Sequence, residues 1–315
     1  MLLLPRPVVL MVLMLVPLAL ASLMIGVADL SGERGAMILT ISRWPRTVAV
    51  MLTGAALAVA GVVMQELVRN RFVEPGTTGT GEAAALGLLL ATLLFPEAGI
   101  WTRMVAASLG GLAGTAVFLA LIRRVPPQEV LLIPLAGLIW SGVLGAVVLH
   151  IGWQTDLLQL VGIWLMAGEF SGVIAGRYAL LWIAAAAAGL AFLAADRLAI
   201  MGLGDAAARG LGLNPVAVMR LGLVVVAVVT AMVMATVGMI PFLGLVVPNI
   251  VSRLMGDNLR ATLPVTALGG AGLLLVCDIL GRLIIFPYEV PVGSVLGVLG
   301  AGVFLWLLWR APRHG

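Results

Sequence analysis

Ten long apolar runs, with nearly all the charge confined to short gaps between them, decide what this chain can become. The runs lie near 8–28, 46–68, 78–95, 101–122, 129–151, 176–195, 216–238, 242–255, 262–286 and 291–309. A helix needs about 20 apolar residues to cross the hydrocarbon core of a bilayer, fewer where protein surrounds it. The pattern predicts an all-α polytopic membrane protein with ten transmembrane helices, forming one domain over residues 1–315. Hydrophobic residues supply 62% of the chain and charged residues 10%, against roughly 25% charged in a soluble domain. A water-soluble fold could not cover so much apolar surface. The stretch 156–168 is amphipathic and too short to cross, which suits a partly re-entrant helix. The run 242–255 is also short and contains Pro248, so it is expected to cross inside a protein shell. Val8 to Val27 follows Arg6, and Ala19-Leu20-Ala21 fits a signal-peptidase site, yet the run is long for a signal-peptide core. It is expected to stay as the first span.

The charge is unusual in kind. The chain has 18 arginines and no lysine, so it lacks the lysine with which a P-loop holds the β- and γ-phosphates. It cannot hydrolyse ATP through a Walker motif of its own. Cys277 is the only cysteine and sits in an apolar run, which excludes a disulfide framework and an all-cysteine metal site. His150 and His314 are the only histidines, and the 15 methionines fall at helix-packing positions. Nothing groups like a coordination site for a bare metal ion. No Ser/His or paired-carboxylate arrangement supports an intramembrane hydrolase either. With both termini in the cytoplasm, Arg6, Arg69, Arg71, Arg123, Arg124, Arg197, Arg209, Arg220, Arg253, Arg260, Arg310 and Arg313 fall inside. Only Arg34, Arg43, Arg46, Arg103, Arg177 and Arg282 fall outside, which obeys the positive-inside rule.

Two loops and one residue pattern stand out. The internal polar loop, about 196–214, holds Gly204, Asp205, Ala206, Arg209, Gly210, Leu211 and Gly212. Asp205 is expected to cap a short helix bracketed by glycines. The residues alone read first as a capped connector, and second as a knob that plugs into an ATPase subunit. At the opposite side, Arg43-Trp44-Pro45-Arg46 and Arg282 read either as interfacial anchors or as a basic docking rim for an acidic soluble partner. Arg282 also has Asp278 one helical turn away. Small residues recur at four-residue spacing: Gly137, Ser141 and Gly145, Gly110 and Gly114, Gly293 and Gly297. Such stripes usually mark helix packing. The one on span five is long enough to line a wide, weakly interacting pathway as well.

Arg43-Trp44-Pro45-Arg46, Gly54-Ala55-Ala56-Leu57-Ala58, Gly61, Gln65, Asn70 and Glu74-Pro75-Gly76 resemble the opening signature of FecCD-type permeases. These are membrane subunits of ATP-binding cassette importers for ferric siderophores, haem and cobalamin. The run Leu203 to Gly212, Gly238 to Pro248, Leu263-Pro264, Asp278, Arg282 and Pro291-Val292-Gly293 continue the likeness to the C-terminus. Where Asn70-Arg71-Phe72-Val73-Glu74-Pro75, Thr77-Thr78-Gly79, Asn249 and Phe286-Pro287-Tyr288-Glu289 depart from the commonest pattern, they look like the branch handling catecholate-type ferric siderophores.

The resemblance implies a ten-helix, type II importer permease in the cytoplasmic (inner) membrane of a bacterium. It implies a second permease copy or paralogue, two cytoplasmic ABC ATPases, and a periplasmic or lipid-anchored substrate-binding protein. Gly204 to Gly212 would be the coupling helix, and Arg43, Arg46 and Arg282 would meet carboxylates of the binding protein. Gly137, Ser141 and Gly145 would line the translocation path. The chain would bind no cofactor and no metal, with ATP and magnesium held by the partner ATPase. The runner-up is a secondary transporter driven by an ion gradient through Glu82 and Asp278, since intramembrane carboxylates are functional suspects.

Overall fold

The computed structural model describes residues 5–27, 35–122, 132–166, 168–176 and 178–309. Arg34, Arg123, Arg124, Arg177, Arg310, Arg313, His314 and the start of the run at 129–131 lie outside the described residues. Helices succeed one another as α1 (Arg6–Met24), α2 (Gly35–Ile38), α3 (Trp44–Val68), α4 (Thr80–Leu94), α5 (Ile100–Ile122), α6 (Leu132–Gln154) and α7 (Leu158–Met166). Then come α8 (Ala179–Leu193), α9 (Ala195–Gly202), α10 (Asp205–Gly210), α11 (Pro215–Val237), α12 (Leu243–Met255), α13 (Leu259–Leu283) and α14 (Val292–Trp309). A π-helical turn, Leu39–Arg43, joins α2 to α3 into one continuous 34-residue rod.

Each of the ten apolar runs contains one main helix, and the amphipathic stretch 156–168 forms α7. Six rods are long and apolar enough to cross a membrane, or seven if α8 and α9, bent by 66°, count as one. Three further apolar helices, Thr80–Leu94, Leu243–Met255 and Val292–Leu307, are shorter than the roughly 20 residues a bilayer requires. By length and composition the ten expected crossings are thus six or seven, plus three short segments.

The rod ending in α3 is the central post. Its Ala49, Val50, Ala58, Ala60, Val63 and Met64 are fully buried. Glycine lets neighbours touch its backbone. A Cβ on Gly54 would sit 2.4 Å from Gly270 O of α13, and one on Gly61 would sit 2.0 Å from Gly244 O of α12. The α4–α5 pair closes the same way, since a Cβ on Gly110 would meet Ala83 O at 2.4 Å. With no hydrophobic driving force between helices in lipid, close van der Waals approach holds such bundles together. Local chemistry fixes the ends. Asn214 accepts from the N–H groups of Val216 and Ala217 ahead of Pro215, and Asn258 accepts from Ala261 N to start α13. Cys277 is fully buried on α13.

Candidate functional site

At one end of the fold, α10 stands out as a knob. Gly204, at φ 112° and ψ 158°, occupies the N-cap, and no side chain caps the helix. The expected cap, Asp205, is instead the first helical residue, because the turn needs a positive φ with an extended ψ that essentially only glycine adopts. The Asp205 carboxylate pairs with Arg69 and, across one turn, with Arg209 at 3.7 Å. The glycine at the far side turns the chain out: Gly212 has φ 77°, and Leu213 N donates to Ala208 O at 2.9 Å. Ala208 is fully buried and keys the helix to the body. Ala206, Arg209, Gly210, Leu211 and Gly212 are exposed. Leu203 and Leu211 flank the knob at 72% and 62% exposure, so it presents two apolar studs around a charged helix.

Sequence reasoning missed Leu203 and Arg69 as parts of this site. Arg69 follows α3 in the left-handed region, with φ 56°, which swings its side chain toward Asp205. Beside it Arg71 meets Asp257 at 2.6 Å and Ser252 Oγ at 2.5 Å, while Ser252 Oγ donates to Asp257 at 2.9 Å. The Arg71 bond holds the Asp257 carboxyl below its ordinary range. These groups rim a cavity of about 290 Å³ that Gln65, Glu66, Asn249 and Thr266 also line.

The opposite end gathers the three arginines expected to form an exposed rim, and turns them inward. Arg46 places Nη2 2.8 Å from Asp278 Oδ1 and Nη1 2.9 Å from Glu289 Oε1. Arg282 meets Asp278 Oδ2 at 2.6 Å, as one-turn spacing predicted, and also donates to Ser22 O and Ile25 O at 2.9 and 2.8 Å. Arg43 donates to Leu23 O and Met24 O at 2.9 and 3.0 Å. Arg43 and Arg282 are thus 7% and 5% exposed and close the carbonyl end of α1, while Asp278 is 0% exposed. The physical reason is the free carbonyls and negative dipole end of α1, which draw guanidinium groups in. Trp44 projects outward at 57% exposure.

The small-residue stripe of α6 faces α4. A Cβ on Gly137 would lie 2.3 Å from Thr77 O, in the turn just before α4, so the two stretches of backbone touch there. Ser141 Oγ donates to Glu82 Oε1 at 2.5 Å, and Gly145 lies beside the Glu82 side chain. The exposed face of α6 carries Leu135, Leu138, Ile139, Val143 and Val147 instead. Among the described residues no three His, Cys, Asp or Glu side chains cluster as metal ligands would.

A body of apolar helices, several too short or bent to cross alone, with a glycine-mounted knob at one end, is that of a polytopic membrane protein. The chain belongs to the FecCD transport family, whose model matches residues 8–310. It is 40% identical over 308 residues to the petrobactin import system permease protein YclN of Bacillus subtilis (strain 168), covering 96% of this chain and 97% of that one. It is 41% identical over 281 residues to the ferric-anguibactin transport system permease protein FatD of Vibrio anguillarum, covering 89% of each. The vitamin B12 import permease BtuC of Escherichia coli O157:H7 matches at 39% over 303 residues, 90% of this chain and 87% of that one. Among solved structures, an inward-facing ABC transporter of metal-chelate type superposes with a TM-score of 0.81 at 26% identity, covering 98% and 99% of the two chains.

Proposed function

We propose that this chain is the membrane-spanning permease subunit of an ATP-binding cassette importer that carries a ferric siderophore across the cytoplasmic membrane. The observation that carries this reading is the end-to-end kinship with siderophore permeases, 96% of this chain on 97% of the petrobactin protein. The knob at Asp205–Gly210, with Leu203 and Leu211 exposed beside it, suits a coupling helix seated in a groove of a cytoplasmic ATPase. That assignment puts both termini in the cytoplasm and the Arg46 end outside. ATP and magnesium act on the ATPase, and a separate binding protein delivers the cargo.

Arg43, Arg46 and Arg282 then serve docking indirectly. They hold α1, α3 and α13 in register beneath the surface the binding protein touches, with Glu289 as the half-exposed member of the cluster. The pathway lies on the free apolar face of α6, against a second permease copy or paralogue, with Gly137, Ser141 and Gly145 fixing that helix on α4. The ion-gradient alternative draws nothing from the comparisons, and its two carboxylates are engaged with Ser141 and with arginine. Uptake of ferric siderophore into proteoliposomes should require this chain, its ATPase, a binding protein and ATP together. Accumulation by the purified chain alone, or uptake abolished only by collapsing a proton gradient, would refute the proposal.

A further inference from the structure

Two interrupted stretches meet inside this fold: 69–79 between α3 and α4, whose helical part is one 3-10 turn at Pro75–Thr77, and 238–242 between α11 and α12. Glu74 joins them. Its Oε1 accepts from Phe242 N at 2.7 Å, and its Oε2 lies beside Gly244, 3.3 Å from where a Cβ would sit there. Phe242 is the N-cap of α12, and its own side chain supplies no cap. Glu74 is 3% exposed, and its carboxyl group faces the positive end of the helix dipole. Asn249, halfway along α12, donates to Arg71 O at 2.7 Å. The helix therefore begins about 10 Å deeper in the fold than Arg71, at a rise of about 1.5 Å per residue.

The break that Glu74 holds is a junction. Met239 N donates to Trp164 O of α7 at 2.9 Å, the Met239 side chain packs on Gly81 of α4, and Phe242 packs on Gly300 of α14. Beside the carboxylate lies a cavity of about 20 Å³, lined among others by Glu74, Pro75, Thr230, Gly238 and Gly244. Thr230 is 7% exposed, and its Oγ1 has no hydrogen-bond partner. Such a space admits one water molecule, and a buried water needs two to four polar partners.

We propose that Glu74 is a positioning residue for transport, and that one water bridges its carboxylate to the Thr230 hydroxyl. The inference rests on the permease reading above. Glu74 fixes where α12 starts, and so ties α4, α7 and α14 to the helix whose other end carries Ser252 and leads to Asp257 beside the knob. Without that tie the two ends of the subunit move independently, and ATP is hydrolysed with little cargo moved.

The test is the complete transporter with its partners in proteoliposomes, with ATP hydrolysis and uptake measured in parallel. Glu74→Gln keeps the shape but replaces one carboxylate oxygen at the start of α12 with an amide N–H donor. It should assemble and hydrolyse ATP, and lose about tenfold in cargo moved per ATP, the scale of one unmet buried hydrogen bond. Glu74→Asp keeps the carboxyl group and should restore most of the coupling. Thr230→Val should lower the ratio in the same direction by less. An unchanged ratio, hydrolysis and uptake falling together, or failure of both Glu74 variants to assemble would overturn the proposal. A wild-type complex that moves no cargo would sink the permease reading instead. A structure of the complex resolving waters should show one within hydrogen-bond distance of both Glu74 and Thr230. An empty cavity or a bound cation there would overturn the bridge.

Discussion

Asp278 concentrates more consequence than any other side chain in this protein. It is fully buried and pairs with two guanidinium groups, Arg46 and Arg282, that are themselves largely buried. Removing one member of a buried ion network leaves charge uncompensated, typically at about 3–5 kcal/mol. Asp278→Asn should lower the thermal midpoint of the detergent-purified protein steeply, and an unchanged midpoint would show the cluster to be solvated. The Arg71–Asp257 pair is the opposite case. Both side chains are more than half exposed, so the pair contributes about 0–1 kcal/mol after solvent screening. The folded-state pKa of Asp257 is depressed, so its contribution is present above the ordinary carboxylate range and fades as pH falls through the folded value. Asp257→Asn should cost little at pH 7, and the gap to wild type should close in acid, never widen. The Arg282–Asp278 pair was legible because the two sit one turn apart on one helix. Arg46 reaches the same carboxylate across 232 residues, which no spacing rule anticipates, so a basic rim was expected where the chain folds its charge inward.

At the scale of elements, the glycine contacts are the most sharply testable. Gly61→Ala drives a Cβ to within 2.0 Å of Gly244 O, and overpacking of this kind costs about 1–3 kcal/mol. Gly189→Ala on α8 meets nothing within 4 Å and should instead gain up to about 1 kcal/mol of helix stability. Thermal denaturation of both variants decides the point, and equal behaviour would mean that α3 and α12 are not in backbone contact. For α10, replacing Leu203 and Leu211 together by glutamate should leave the fold intact and abolish capture of the cognate ATPase in a pull-down. Retained capture would remove the knob from the interface. The bracketing glycines made this helix readable in advance. Its cap was misjudged because Asp205 is a good capping residue type, whereas the turn demanded a backbone angle that only Gly204 supplies without strain.

Seen as a whole, the order of apolar runs foretold every main helix, and hydropathy does this well because lipid leaves the backbone few ways to satisfy itself. It could not foretell which runs suffice to cross alone. Thr80–Leu94 and Leu243–Met255 are short because two irregular segments enter the body of the fold beside them, and polar groups of those segments are met by Glu74 and Asn249 from distant stretches of chain. On α6 the sequence showed the small-residue stripe but not which way it faces: the stripe packs against a neighbouring part of the chain, and the bulky face is the open one.

The burial of Cys277 has a practical corollary. The only thiol of the molecule is sealed inside α13, and no lysine competes for electrophiles. Maleimide dyes should therefore leave the intact native protein unlabelled. A single cysteine introduced on the knob or beside Glu289 can then carry a fluorophore in an otherwise silent background, so movements at either membrane face can be followed during turnover without first stripping the protein of its own reactive groups.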